Sequence, residues 1–241
     1  MRAPFIVAID GPSGSGKSSV SRAAARALGV AFLDTGAMYR AVTWSVLQAG
    51  IDLGDEAAVT EHVRSVALRM GSDPAKPTVA VVAGDGTETD LSAAVRAADV
   101  TGSVSAVASV ADVRHDLVLR QRALIEAACA APAPGRRAGV VAEGRDITTV
   151  VAPQAEVRIL LTADEAVRLS RRARQNLGSS DAAALEATRS AVVERDRVDS
   201  RTTAFTTAAD GVVTLDSTSL DFDGTVAAVL LIVQQRLGGP R

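Results

Sequence analysis

One cysteine, two lysines, one asparagine and six aromatic residues are all that this chain of 241 residues holds of those types. A lone cysteine, Cys129, excludes an internal disulfide and any multi-cysteine metal site, and it fits a reducing compartment. It falls in the helical pattern Leu117–Ala130, where a small buried thiol is expected rather than a reactive one. Aromatics at 2% leave little from which to build a stacking platform for single-stranded nucleic acid. Nor is there a basic excess: 26 Lys and Arg face 28 Asp and Glu, a net charge of −2, so no nucleic-acid partner is expected. Apolar runs are short. Phe5–Ile9 stops at Asp10, too soon for a signal-peptide core, and Val226–Val233 is far below the ~20 residues of a membrane helix. These absences lead to the expectation of a soluble, cytoplasmic protein with no membrane partner.

What is present is ordinary globular composition, 47% apolar and 22% charged. The length suits one large domain or a core with an insertion. Continuous apolar runs at Phe5–Ile9, Val30–Leu33, Gly139–Ala142, Val157–Leu161 and Val212–Leu215 read as strands buried on both faces. Helical patterns lie between and after them, at Lys17–Leu28, Ala37–Gln48, Val113–Ala130, Ala163–Leu177, Asp181–Val198 and Phe222–Leu237. This alternation predicts an α/β fold, three layers (αβα) around a five-stranded parallel sheet. From about Leu53 to Ser103 the rhythm breaks. A helix pattern (Asp55–Val66) gives way to strand-like pieces Val66–Met70 and Thr78–Ala83, and Gly84-Asp85-Gly86 has hairpin chemistry. A small inserted subdomain with its own antiparallel sheet is expected there. Ala130–Ala138 reads as a surface loop.

Gly11-Pro12-Ser13-Gly14-Ser15-Gly16-Lys17-Ser18 matches G-x-x-x-x-G-K-[ST], a phosphate loop, and it stands between a buried strand and a helix as that motif requires. Glycines let backbone N–H groups converge on phosphates, and the helix N-terminus adds the positive end of its dipole. Lys17 is then expected on the β- and γ-phosphates and the Ser18 hydroxyl on Mg²⁺, with Ser19 beside it. Of 26 basic residues 24 are arginine, yet the chain keeps lysine here, where a compact point charge suits a triphosphate. No Asn-Lys-x-Asp guanine-reading box exists, since the sole asparagine, Asn176, precedes Leu177. Neither Gly139–Ala142 nor Val212–Leu215 ends in the Asp-Glu of motor and transporter ATPases, and Asp216 reads as a strand-end turn residue.

A phosphate acceptor that is itself anionic demands further fixed cations. Four places offer them. Asp34-Thr35-Gly36-Ala37-Met38-Tyr39-Arg40 runs from a strand end into a helix. Glu143-Gly144-Arg145-Asp146 follows a buried strand at the carboxyl edge, where open α/β sheets bind ligands. Arg168, Arg171 and Arg172 share a helix face at i, i+3 and i+4. Glu194-Arg195-Asp196-Arg197-Val198-Asp199-Ser200-Arg201 alternates charges beside a helix end. Read from the residues alone, these sites leave several possibilities open. One is a kinase acting on UMP or another small acceptor; another is a nucleotide-binding regulator without catalysis.

Taken in order, the motifs Ile9–Lys17, Leu33–Arg40, Val113-Arg114, Arg120-Gln121-Arg122, Glu143–Asp146, Glu194-Arg195-Asp196 and Asp216-Ser217-Thr218 resemble those of the bacterial cytidylate kinase family along essentially the whole chain. The resemblance implies an ATP-dependent, Mg²⁺-requiring phosphotransferase acting on CMP or dCMP. It further implies a single P-loop kinase domain (1–241) with an enlarged monophosphate-binding insertion (53–105) and a helical lid (165–180), acting as a monomer. It puts Thr35, Tyr39 and Arg40 in the monophosphate site, with Arg40 and Arg145 on its phosphate. Ser105, Arg114 and Asp146 would read the cytosine edge, and Arg195, Asp199 and Arg201 would hold phosphate and ribose. Lys17, Arg145, Arg171 and Arg172 would be the catalytic cations. Three departures stand out. Thr202 occupies a position where the family commonly has arginine, with Arg201 one residue earlier. Ala204-Phe205-Thr206-Thr207 replaces an apolar-proline segment, and Thr35 replaces serine while keeping the hydroxyl.

Overall fold

The computed structural model describes residues 3–199 and 205–238, without the side chains of 176–177, 190–195 and 198–199. Strand β1 (Phe5–Asp10) lies at the centre of a five-stranded sheet, with β6 (Gly139–Gly144) on one side and β7 (Val157–Thr162) on the other. Beyond them lie β2 (Ala31–Asp34) next to β6 and β8 (Val213–Asp216) next to β7, giving the order β2-β6-β1-β7-β8, all parallel. The chain leaves β1 toward β2, whereas it leaves β6 across to β7. Connections from these neighbours therefore diverge, and a crevice opens beyond their carboxyl ends. The phosphate loop and Glu143–Asp146 both sit there.

Alternation along the strands sorts the core into two faces. Phe5, Val7 and Ile9 of β1 pack with Val20, Ala24 and Ala25 of α1 (Lys17–Leu28) and Val229 and Val233 of α8 (Phe222–Gly238). Ala8 points the other way, toward Met38, Val42 and Val46 of α2 (Thr35–Gln48), Val59 and Val63 of α3 (Glu56–Ser65) and Leu117 and Ile125 of α5 (Ala111–Ala130). The three expected layers are thus present. The insertion is an antiparallel sheet of β3 (Ala67–Gly71), β4 (Thr78–Val82) and β5 (Glu88–Asp90). It packs on the second face of α2, where Ala37 and Ala41 meet Val79, Leu91 and Val95. The expected hairpin closes through the Ala83 N–H and Thr87 carbonyl, 2.9 Å apart.

Two elements differ from expectation. Helix α2 begins at Thr35 rather than Ala37, because the Asp34 carboxylate accepts from the Ala37 N–H at 2.8 Å and caps the helix there. A one-turn 3₁₀ segment (Ala94–Arg96) and a full helix α4 (Ala98–Ser109) fill the end of the insertion. Gly102 and the Val, Thr and Ser residues around it are weak helix formers, so local propensity does not signal this helix. Burial of Val100, Val104 and Val107, at i, i+4 and i+7, holds it instead. Above the sheet's carboxyl edge, α6 (Glu165–Leu177) and α7 (Ala182–Asp199) pack together, and α7 also meets α4. Among the described residues no helix is long and apolar enough to cross a membrane.

Candidate active site

One cleft of about 1630 Å³ runs along the carboxyl edge of the sheet. That exceeds the space one small ligand needs and leaves room for two. The phosphate loop is its floor. Gly16 turns the loop into α1 with φ +87°, in the left-handed region that favours glycine. Gly14 has φ +77°, and a Cβ there would collide with the Arg168 carbonyl, so α6 lies directly on the loop. The Ser15 hydroxyl is buried and has no hydrogen-bond partner among the described residues, as suits a loop shaped around an absent anion. Lys17 Nζ donates to the Pro12 carbonyl at 3.4 Å. Gly11 and Pro12 lie at the entry of the loop, and Ser13 to Ser19 line the cleft.

Ser18 Oγ donates to Glu143 Oε1 at 2.6 Å. Glu143 ends β6, the strand beside β1, and is only 2% exposed. Burial pushes its carboxyl up to about 7, with help from the charge of Asp34; Lys17, the Ser18 hydroxyl and Arg40 pull it back. An acid at this strand end, bonded to the serine of the phosphate loop, fits the surroundings of a magnesium ion, which favours oxygen ligands and retains water. Among the described residues no cluster of three acidic, histidine or cysteine ligands exists, so any such ion depends on ligand oxygens as well. Sequence reasoning missed Glu143 because it sought paired acids. The readable signal is the single acid that closes a buried apolar run.

On the side of α2 the cleft collects the acceptor candidates. Thr35 Oγ1 donates to the Glu143 carbonyl at 2.8 Å, pinning α2 to β6. Arg40 pairs with Asp34 at 3.2 Å, and its buried Nε has no partner among the described residues. Arg172 reaches the same region: burial lowers its pKa first, and the neighbouring charges of Arg40 and Arg96 lower it further. Three guanidiniums close enough to disfavour one another call for an anion between them. Arg96, in the 3₁₀ turn, has no signal in the sequence because its place depends on the whole insertion.

Deeper in, Arg114 donates to Asp146 at 2.8 Å. Burial raises the Asp146 pKa, Arg114 opposes this, and Asp10 adds to it. Asp10 itself is buried and accepts from the Ile147 N–H (2.9 Å), the Thr148 N–H (2.8 Å) and Thr148 Oγ1 (2.6 Å). It thereby ties the end of β1 to the turn that carries Arg145 and Asp146. Burial, and then the Asp146 charge, pushes the Tyr39 hydroxyl above its ordinary pKa, so Tyr39 stays protonated. Ser105 comes to the same wall on α4.

The arginines of α6, one face in sequence, go to different partners. Arg168 donates to Asp196 (2.5 Å) and to the Ser13 carbonyl (2.8 Å). Arg171 donates to Ser217 Oγ and to the carbonyls of Ser217 and Leu220, fastening α6 to the loop after β8. Arg172 alone of the three turns toward the acceptor side. Arg145 donates to Ser13 Oγ (2.9 Å) and Asp196 (3.0 Å). Asp196, quoted in the motif but given no role from sequence, thus joins the phosphate loop, the turn after β6 and α6. The side chains of Arg195 and Asp199, and all of Arg201, lie outside the described residues.

Eight cationic side chains line the cleft against four carboxylates, in a chain whose net charge is −2. Such a cleft concentrates anions. Comparison with known proteins gives the same direction. The family model for cytidylate kinase matches residues 7–235. A cytidylate kinase of Streptomyces griseus subsp. griseus is 42% identical over 234 residues, covering 97% of this chain and 94% of its own. That of Rhodococcus opacus (strain B4) is 44% identical, covering 97% and 96%. That of Geobacillus kaustophilus (strain HTA426) is 38% identical, covering 99% of this chain and all of its own. The likeness runs through the sheet, the insertion and the helices above the phosphate loop together, so the chain belongs to the cytidylate kinase family.

Proposed function

We propose that this protein transfers the γ-phosphate of ATP to CMP or dCMP, giving ADP and CDP or dCDP. The observation that carries the reading is a single cleft with a phosphate loop at one end and, facing it, a group of arginines without an anion. A regulator that only bound ATP would have no use for Arg40, Arg96 and Arg172 gathered around one point.

Phosphoryl transfer requires little proton chemistry from the protein; positioning and charge do most of the work. The N–H groups of residues 13–18 and the Lys17 ammonium hold the β- and γ-phosphates. Ser18, with Glu143 behind it, would hold the Mg²⁺ that arrives with ATP, and that ion would neutralise charge on the phosphate oxygens. Arg40 and Arg172, joined by Arg96, hold the acceptor's phosphate. Arg145, fixed at Ser13, stands between the two phosphates and stabilises the charge that spreads over the transferring group. Arg171 acts by fastening α6 to the loop after β8. The Asp146 carboxylate accepts from the exocyclic amino group of cytosine, with Arg114 and Ser105 completing the base edge. Tyr39 and Thr35 line that pocket. Residues 165–180 form the lid that closes over ATP and excludes water, and residues 53–105 close over the acceptor. A monomer is the assembly we favour, since the exposed large apolar side chains are few and lie on separate elements. A cytoplasmic setting accords with ATP as substrate and a lone, unpaired cysteine.

The test is a panel of CMP, dCMP, UMP and AMP at fixed ATP and Mg²⁺, read as kcat/KM for each. Preference for CMP and dCMP is expected. No turnover of CMP above the rate without acceptor would end the proposal.

A further inference from the structure

Phe205 opens the second described stretch and is one of four phenylalanines in the chain. It stands in the Ala204–Thr207 segment, where the sequence departs from its family. Its side chain is completely buried. The Arg145 guanidinium lies over its ring, with Cζ 4.2 Å from the ring centre. The Arg145 side chain is only 14% exposed, and one edge of it meets Asp196 and Ser13 Oγ.

We infer that Phe205 is a positioning residue for phosphoryl transfer, its ring fixing the plane of Arg145 beside the phosphate loop. The inference rests on the proposed role of Arg145 at the transferring phosphate. Contacts at one edge, to a carboxylate and a hydroxyl, leave a guanidinium free to swing about that edge. A ring against its face removes the swing. An aromatic ring is the suitable surface because its negative face attracts the cation without accepting any of its N–H groups, and those groups stay available to phosphate oxygens. A second carboxylate in its place would hold Arg145 equally well but would cancel the charge the transfer needs. An aliphatic side chain would fill the space without attracting the cation. The other cation over a ring, Arg137 on Phe5, has its centre 5.2 Å away and lies outside the cleft.

The experiment replaces Phe205 by di-, tri- and pentafluorophenylalanine, which keep ring shape and progressively weaken the negative face, and separately by leucine. Arg145→Gln is measured in parallel, alone and with the fluorinated residues. CMP phosphorylation is followed at saturating substrates, with ADP affinity and thermal stability as controls. The expected result is a stepwise fall in kcat with fluorination, reaching about 2- to 30-fold, the range of a partly to fully desolvated cation–π contact. ADP affinity and melting temperature stay near the unmodified values, and fluorination has no further effect once Arg145 is glutamine. Equal kcat across the fluorinated series, with Arg145→Gln still costing 100-fold or more, overturns the role of Phe205 and leaves that of Arg145 intact. A harmless Arg145→Gln overturns both. Should Phe205→Leu fail to fold, the fluorinated series decides alone.

Discussion

Asp196 offers the sharpest test of how the empty cleft is held together. Its carboxylate accepts from the Ser13 N–H at 3.0 Å, from Arg145 at 3.0 Å and from Arg168 at 2.5 Å. The three side chains are 12–14% exposed, so the pairs are nearly buried but not sealed from water. Asp196→Ala leaves two guanidiniums and one amide without their acceptor. Removing one partner of a buried pair costs about 3–5 kcal/mol, and residual solvent contact brings the expectation to about 3 kcal/mol. For a domain of this size each kcal/mol moves the melting temperature by about 2–4 °C, so the variant is expected to melt about 6–12 °C lower. The same variant leaves Arg145 and Arg168 more available to an anion, so saturating tripolyphosphate should stabilise it more than it stabilises the wild type. There is a pH signature as well. Burial alone would raise the Asp196 pKa, but Arg145, the Ser13 N–H and Arg168 outweigh it and hold the pKa below the ordinary 3.8. A depressed carboxylate stabilises the fold above its unfolded pKa and loses that contribution as pH falls through the folded value. The gap between wild type and variant should therefore be constant near neutrality and narrow below about pH 4. Thermal unfolding at several pH values, with and without tripolyphosphate, measures all three effects. A melting difference under about 2 °C at neutral pH, or a gap that tripolyphosphate leaves unchanged, would refute the reasoning.

Three further outcomes are expected. Lys17→Ala should lower CMP phosphorylation at least about 100-fold, because one fixed charge at the transferring phosphate is lost; activity within tenfold of wild type in a coupled ADP assay would remove Lys17 from the mechanism. Asp146→Asn should lower kcat/KM for CMP about 10- to 100-fold and that for UMP less, since only cytosine offers an amino group to the carboxylate; equal losses would argue against base reading by Asp146. Glu143→Gln keeps the shape beside Ser18 and removes the negative charge, so half-maximal activity should need about tenfold more Mg²⁺. An unchanged Mg²⁺ titration would place the ion elsewhere.

What could be read from the sequence was what depends on neighbours along the chain. Strand β1, the phosphate loop and α1 form within 24 residues from Phe5 to Leu28, and the expected helix Lys17–Leu28 has the observed limits. A continuous apolar run, a glycine-rich turn and a 3.6-residue pattern are each local signals. Helix α4 was not readable, because its glycine and β-branched residues argue against a helix and only packing on α2 and α5 supports it. Partners across the fold were likewise hidden. Spacing put Arg168, Arg171 and Arg172 on one helix face, which is correct for their backbone. A guanidinium ends a long side chain, however, and these three end at Asp196, at Ser217 and beside Arg40. Only the fold decides which arginine is committed to structure and which faces a substrate.

That division of the arginines also explains how a cleft so rich in cations can fold while empty. Asp34 pairs with Arg40, Asp146 with Arg114, and Asp196 with Arg145 and Arg168, while the charge of Lys17 acts on Glu143. Each acid offsets part of the repulsion that its cations would otherwise bring to the folded state. The compensation is incomplete around Arg172, where the neighbouring charges that register are Arg40 and Arg96. The acceptor's phosphate is the missing anion of that group, so binding it relieves a repulsion already built into the fold and draws α6, which carries Arg172, toward the 3₁₀ turn that carries Arg96. Lid closure and acceptor binding are then one electrostatic event. The same arrangement makes ATP alone a poor trigger for closure, because its phosphates engage the loop at residues 13–18 and leave the three guanidiniums opposed.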